Sequence, residues 1–342
     1  MVQAHSALDE VNSSGEFKRN DSIFRDFISK DSTQFRPAAT RYHLYISYAC
    51  PWATRCLAVL HMKGLQEVIS VSVVHPTWQR TKPDDPEDEH CGWVFADSAK
   101  VSAVTSSTGM GSFNIADSTV DHVNSCTTIR ELYTIAGDSL GKYTVPILWD
   151  KESSTIVNNE SAEILRMLNS EFNEWAAHPN LDLYPESMKS AIDAVNEWVY
   201  PAINNGVYRC GFALTQPAYD SALEELYSSL DRVEKILSTQ RYIAGNVVTE
   251  ADIRLFMTLI RFDEVYVVYF KTNRKCIREY PNMFNYIKEI FQLPGVSQSI
   301  NMAHIKTHYF TSHPKLNVYA IIPGGPCIDY SSAHDRGLVV PV

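Results

Sequence analysis

A lone cysteine placed where a β-strand must hand over to a helix constrains this chain more than any other feature: Tyr48-Ala49-Cys50-Pro51-Trp52-Ala53. Upstream, Tyr42, Leu44, Ile46 and Tyr48 alternate with Arg41, His43, Tyr45 and Ser47, a run rich in β-formers that predicts a strand. Pro51 cannot continue a strand, but it suits the first turn of a helix, where its missing N–H would be unpaired anyway. Leu57, Val59 and Leu60 follow, and Lys63-Gly64 supplies a basic last turn and a glycine stop. Cys50 is therefore expected at a helix N-terminus, facing N–H groups and the positive end of the dipole. Such surroundings lower a thiol pKa from roughly 8.5 into the range of about 3.5 to 7.5. A buried cysteine packed as a small hydrophobe is the commoner fate of the residue type. The strand-to-helix position favours the reactive thiol.

The chain of 342 residues is long enough for two domains with a core in each, and 45% hydrophobic with 20% charged residues is an ordinary globular balance. A formal charge of −10 argues against nucleic-acid binding, which needs a basic surface to neutralise phosphates. The seven cysteines, Cys50, Cys56, Cys91, Cys126, Cys210, Cys276 and Cys327, are odd in number and form no Cys-x-x-Cys. A reducing compartment, the cytoplasm by default, is expected. The eleven histidines, among them His304, His308 and His313, follow no metal-ligand spacing and are expected on helix surfaces or in packing; no metal is indicated. No apolar run reaches the roughly 18 residues of a membrane span, the nearest (Leu255 to Phe270) being broken by Arg261, Asp263 and Glu264. The N-terminus carries Asp9, Glu10, Glu16 and Asp21 without an apolar stretch, so it does not read as a secretory signal.

Along the chain, residues 1–37 read as a loosely ordered arm that Phe24, Phe27 and Phe35 could tack to the body. The helix after Cys50 leads into the β-branched run Val68 to Val74, completing a βαβ unit whose strands should be parallel. A long irregular stretch follows from His75, a 75–128 loop rich in Asp, Ser, Thr and Gly, of a length that is usually functional or partly disordered. Order resumes with a helix at Ile129 to Tyr133, a strand at Val145 to Trp149, another at Thr155 to Asn158, and a helix from Ser161. Pro146 inside a strand-like run calls for an edge, a bulge or a cis peptide. The order is β-α-β-α-β-β-α over residues 38–170. The region 186–326 reads as all helical, with apolar residues at threes and fours such as Ala222, Leu226, Leu230, Val233 and Leu237. Thr249-Glu250-Ala251-Asp252 resembles a capping box, and residues 327–342 form a tail.

An α/β module of this order, with a cysteine opening its first helix and an all-α domain behind it, resembles the thioredoxin-like glutathione transferase fold. Tyr48 to Ala53, Gly92-Trp93-Val94-Phe95, Thr144-Val145-Pro146, Ile156 to Ser161 and Asn204 to Tyr208 resemble the glutathionyl-hydroquinone reductases, also called Xi-class and earlier grouped with omega-like transferases. Thr249 to Arg254 and His304 to Tyr309 extend the resemblance, which spans residues 36 to 326.

The resemblance implies an enzyme in which Cys50 attacks the glutathione sulfur of a glutathionyl-hydroquinone and releases the hydroquinone. A second glutathione then frees the cysteine as glutathione disulfide. Thiolate exchange of this kind needs an accessible, low-pKa sulfur. The resemblance further implies a cis Val145-Pro146 whose backbone holds the cysteinyl part of glutathione. Glu160 and Ser161 would grip its γ-glutamyl end, while Trp93 and Arg130 would contact it. Alone, Glu160-Ser161 would read as an ordinary cap and Arg130 as a helix-surface residue. Tyr208, Tyr266 and Tyr309 align with the family's hydroquinone site, where a phenol can pack on an aromatic ring and stabilise a leaving phenolate. Glutathione as co-substrate, aromatic glutathionyl adducts as substrates and a homodimer are likewise implied. One departure is plain: where the family has histidine after Cys-Pro-Trp-Ala, this chain has Thr54. The alternatives within the fold are an omega-like thioltransferase or dehydroascorbate reductase and a conjugating transferase. A non-catalytic ligand carrier is a third class, which would have no use for a nucleophile.

Overall fold

The computed structural model describes residues 4–6 and 9–338. Residues 1–3 and 7–8 of the expected arm and residues 339–342 of the expected tail lie outside the described residues.

Strand β1 (Tyr42–Ile46) is buried along its whole length, and helix α1 (Pro51–Lys63) starts at the predicted proline. Gly64 ends α1 at φ +67, its N–H returning to the last turn; a Cβ there would lie 2.5 Å from that of Ala177, so only glycine fits. Strand β2 (Ser70–Val73) pairs in parallel with β1, His43 opposite Ser70 and Ile46 opposite Val73, as the βαβ reading requires. The 75–128 stretch is built of two small ladders: β3 (Gln79–Arg80) with β4 (Cys91–Gly92), and β5 (Ala103–Val104) with β6 (Phe113–Asn114). Helix α2 (Ile129–Ile135) opens on a capping box in which Thr128 and Glu131 bond each other's backbone N–H. Strands β7 (Ile147–Asp150) and β8 (Thr155–Asn158) complete an antiparallel edge, giving the order β2-β1-β7-β8. Helix α3 (Ser161–Ser170) packs on α1, where the Cys56 thiol donates to the Ser161 carbonyl at 3.4 Å. Of the three options for Pro146 the structure has the cis peptide, and β7 begins just beyond it at Ile147.

The remaining α-helices are α4 (Lys189–Val199), α5 (Gly206–Gly211), α6 (Gln216–Leu237), α7 (Glu250–Arg261), α8 (Val267–Tyr269), α9 (Pro281–Gln292) and α10 (Met302–Thr311), with π-helical turns at Tyr200–Asn204 and Phe262–Tyr266. The apolar stripe of α6 is buried at each of its five named positions. Asp252 closes the start of α7, accepting from the Thr249 N–H (2.8 Å) and hydroxyl (2.9 Å).

The chain forms two compact units. The first holds Asp21–Asn180 with Ser299–Pro323 and the described residues up to Asp9; the second holds Leu181–Gln298 with Glu10–Asn20 and the described residues from Gly324 onward. Helix α10 thus belongs to the α/β unit. There His304, His308 and His313 are all buried packing residues, and none has the helix-surface position that was the other expectation.

Candidate active site

Within the first unit, Cys50 is the N-cap of α1, in extended conformation (φ −76, ψ 116), with Pro51 at the first helical position. Its carbonyl takes the first helical bond, from Thr54 N–H at 3.0 Å. The thiol sits where the helix dipole is positive, and an anionic sulfur is stabilised there. It is part-exposed, and its Sγ donates to the Val145 carbonyl at 3.3 Å. The nucleophile and the residue before cis-Pro146, 95 positions apart in sequence, therefore touch. Thr54 turns back onto its own helix, donating to the Cys50 carbonyl at 3.1 Å. A hydroxyl so engaged packs against the first turn.

Glu160 is the N-cap of α3, and its carboxylate accepts the Ala162 N–H at 3.1 Å. Ser161 is buried beside it, its carbonyl bonded by Cys56. Cys56 lies six residues along α1 from Cys50, about 9 Å of helix rise. Cys50 and the Glu160-Ser161 start of α3 thus lie along the same pair of packed helices, with the α3 N-terminus suited to a carboxylate. Ser22, which the sequence reading passed over, donates to Glu160 Oε2 at 3.4 Å and to the Asn159 carbonyl at 3.3 Å. Its only sequence signal is a serine in an arm flanked by aromatic residues.

Trp93 is buried and stacks on His308 at 4.5 Å and 25°. His304, one turn earlier on α10, meets Tyr48 edge-on at 5.6 Å. One face of α10 therefore touches both the segment entering Cys50 and Trp93. Three hydrogen bonds dock this end of the helix on the 75–128 segment: His308 Nδ1 to the Pro76 carbonyl (2.8 Å), Ser312 to the same carbonyl (3.0 Å), and Thr77 with Thr311 (2.8 Å).

Arg130 is not the surface residue that its helix position alone suggests. It is buried, and its guanidinium forks onto Asp88 at 2.9 and 2.7 Å and donates to Thr81 at 3.1 Å. The Arg130 hydrogen bonds hold the Asp88 carboxyl down at about 2. Its fork is thus directed at the loop, and Asp88, 42 residues distant, gave no sequence signal.

In the second unit, Tyr208 and Tyr266 stand 6.1 Å apart, and both lie 5.2 Å from Phe270, Tyr266 stacked on it in near-parallel fashion. Both are buried, Tyr266 completely. Arg19 lies over the Tyr208 ring at 5.1 Å and donates to Asn205 at 3.0 Å. Tyr309 belongs to the first unit, beside His308. Among the described residues no group of His, Cys, Asp and Glu could hold a metal, and no helix is long and apolar enough to cross a membrane.

Residues 49–171 match the family "Glutathione S-transferase, N-terminal domain", and residues 216–289 match "Glutathione S-transferase, C-terminal domain". The chain is 40% identical to glutathionyl-hydroquinone reductase YqjG of Escherichia coli over 336 residues, covering 96% of this chain and 94% of that one. The glutathione-bound structure of YqjG superposes with a TM-score of 0.82, covering 92% of this chain and 96% of that chain. Glutathionyl-hydroquinone reductase PcpF of Sphingobium chlorophenolicum is 39% identical, covering 93% and 92%. The structure of the Xi glutathione S-transferase from Phanerochaete chrysosporium is 43% identical, with a TM-score of 0.85 over 98% of this chain and all of that one. With a thiol at the start of its first helix, a cis proline against it and both domains matched, the chain belongs to the glutathione S-transferase family, among the Xi-class glutathionyl-hydroquinone reductases.

Proposed function

We propose that this protein removes glutathione from glutathionyl-hydroquinones. The Cys50 thiolate attacks the glutathione sulfur, forming an S–S bond as the aryl C–S bond breaks; the electron pair goes to the ring carbon, which takes a proton and leaves as hydroquinone. A second glutathione thiolate attacks the mixed disulfide, releases Cys50 and departs as glutathione disulfide. The ring carbon gains the electron pair and a proton, while the adduct's thioether sulfur and the thiol of one further glutathione become the disulfide, so the exchange balances. Val145 would hold the cysteinyl backbone. Glu160 and Ser161 would hold the γ-glutamyl end and Trp93 would flank the peptide. Arg130 would act near glutathione through the loop it ties to Asp88. Tyr208 and Tyr266 in the second unit, and Tyr309 in the first, are the phenols proposed to serve the aromatic group.

The observation that carries this reading is the part-exposed Cys50 thiol at a helix N-terminus, 3.3 Å from the carbonyl that precedes cis-Pro146. A transferase that merely adds glutathione to its substrate activates glutathione's own thiolate and has no need of this sulfur. We take the protein to work as a homodimer in the cytoplasm, and all seven cysteines being unpaired suits a reducing compartment.

The test is turnover of glutathionyl-menadione by the wild type and by Cys50→Ser. The variant should lose at least a thousandfold in kcat/KM, about 4 kcal/mol of transition-state stabilisation. After a single turnover, mass spectrometry of the wild type should find one glutathione on Cys50. Full activity in the variant overturns the proposal. Faster turnover of dehydroascorbate or a mixed disulfide than of the menadione adduct would reassign the protein to omega-like thiol transfer.

A further inference from the structure

The two segments proposed to hold glutathione are joined through one buried phenol. Tyr133, on α2, is wholly buried. Its oxygen accepts the Asn159 side-chain N–H at 2.8 Å and lies 3.1 Å from the Thr144 carbonyl and 3.0 Å from the Thr144 hydroxyl. Thr144 immediately precedes Val145-cis-Pro146, and Asn159 immediately precedes Glu160-Ser161. The same hydroxyl thus grips the residue in front of each half of the tripeptide site.

Other contacts leave it little freedom. Asn159 is anchored on the arm, donating its N–H to the Phe24 carbonyl at 3.0 Å and accepting the Phe24 N–H on its side chain at 3.2 Å. The Tyr133 ring is wedged between Phe24 (5.8 Å) and Tyr143 (5.6 Å), each meeting it edge to face. Burial raises the Tyr133 pKa, so the phenol stays protonated and can donate to Thr144 while accepting from Asn159.

We infer that Tyr133 is a positioning residue whose hydroxyl fixes the spacing between the cysteinyl-holding and γ-glutamyl-holding segments, and so sets affinity for glutathione without touching it. The inference rests on the proposed roles of Val145-Pro146 and Glu160-Ser161. A tripeptide bound at both ends senses any change in the distance between them, because losing register at one end forfeits the bonds at the other. The Cys50 thiol, held by the start of α1 and the Val145 carbonyl, lies on one side of the joint only. Binding should therefore suffer more than chemistry.

The experiment measures glutathione affinity by titration calorimetry, and steady-state turnover of glutathionyl-menadione, for the wild type, Tyr133→Phe, Asn159→Ala, the double variant and Tyr42→Phe. Tyr42 is a control: its phenol is equally buried in the same unit but donates to the Arg36 carbonyl (2.7 Å). Tyr133→Phe should weaken glutathione binding about five- to tenfold and raise KM similarly, about 1 kcal/mol, with kcat within twofold. Tyr42→Phe should lower the melting temperature without moving affinity. The double variant should bind no worse than its weaker parent, since both single changes break one joint. Unchanged affinity in Tyr133→Phe, or an equal loss in Tyr42→Phe, overturns the inference. Should Tyr133→Phe fail to fold, Asn159→Ala decides alone: unchanged affinity there refutes the joint. Failure of the underlying proposal would look different, because the wild type itself would then not bind glutathione.

Discussion

The two units differ in where histidine is buried. Ten of the eleven histidines lie in the first unit and only His334 in the second. His43, His75, His304, His308 and His313 are buried, and their ring nitrogens or ring faces join loop to helix and strand to strand. The second unit buries carboxylates: Asp252 at the start of α7, Asp263 accepting the N–H groups of Ile277 and Arg278, and Glu289 holding the Tyr242 hydroxyl. Burial favours the neutral form of His43, His75, His304 and His313 and of Asp252 and Asp263, but acid makes the imidazoles charged and the carboxylates neutral. Mild acid therefore works against the buried imidazoles of the first unit and not against Asp252 and Asp263 of the second.

The largest expected effect tests whether the second unit depends on its own charged anchor. Arg336 is almost wholly buried and donates to the carbonyl of Leu237 (2.8 Å), the last residue of α6, and to those of Gln240 (2.7 Å) and Arg241 (2.7 Å) just beyond it. A fork of donors at the negative end of a 22-residue helix thus satisfies its last carbonyl and ties down the turn that follows. Arg336→Ala should cost about 3 kcal/mol, read by denaturant unfolding, and Arg336→Lys should recover only part of it. A loss under 1 kcal/mol would show that the last described turn is merely laid on the surface.

Next in size is the response to acid. Burial holds His43 down at about 4, below its usual value of 6.5, as it does His90. A depressed histidine contributes stability that is complete above about 6.5 and is lost as the pH falls towards 4, about 2 kcal/mol for His43 by pH 4.5. Asp252 runs the other way. Burial pushes it up to about 6, so its contribution is complete below about 4 and falls as the pH rises through 6. Hydrogen exchange from pH 7 to 4.5, corrected for intrinsic rates, should therefore show β1, β2 and the 75–128 segment loosening while α7 holds. Equal loosening of both would break the contrast.

A smaller effect sharpens it inside the first unit. Asp88→Asn keeps the shape but removes the charge that Arg130 holds, and should cost about 1 to 2 kcal/mol. Its carboxyl is held at about 2, so the wild type has this stability in full above about 4 and loses it only as the pH falls towards 2. Exchange should rise at residues 79–92 and stay unchanged in α6 and α7. A rise across the whole chain would mean that Arg130 and Asp88 hold more than the loop.

Much of this was legible because the signals were local. Pro51 and Gly64 bracket α1, Thr249 and Asp252 cap α7, and the stripe on α6 shows its buried face, since each depends on neighbours within a few residues. Cys50 could be put at a helix N-terminus for the same reason. Arg130 shows the limit: on its helix it resembles any exposed arginine, and only folding brings Asp88 beside it. The histidines show it too, because one turn of α10 sets His304 and His308 on one face without saying that Tyr48, Pro76 and Trp93 will cover them.

The sequence alone determined which residues could do chemistry and in what order strands and helices come, because propensity, capping and periodicity act over short stretches. Tertiary structure decided which of them meet: Cys50 with Val145, Tyr133 with both Thr144 and Asn159, α10 with the α/β unit. Those contacts span tens to hundreds of residues, and they form only when hydrophobic burial closes the loops between them.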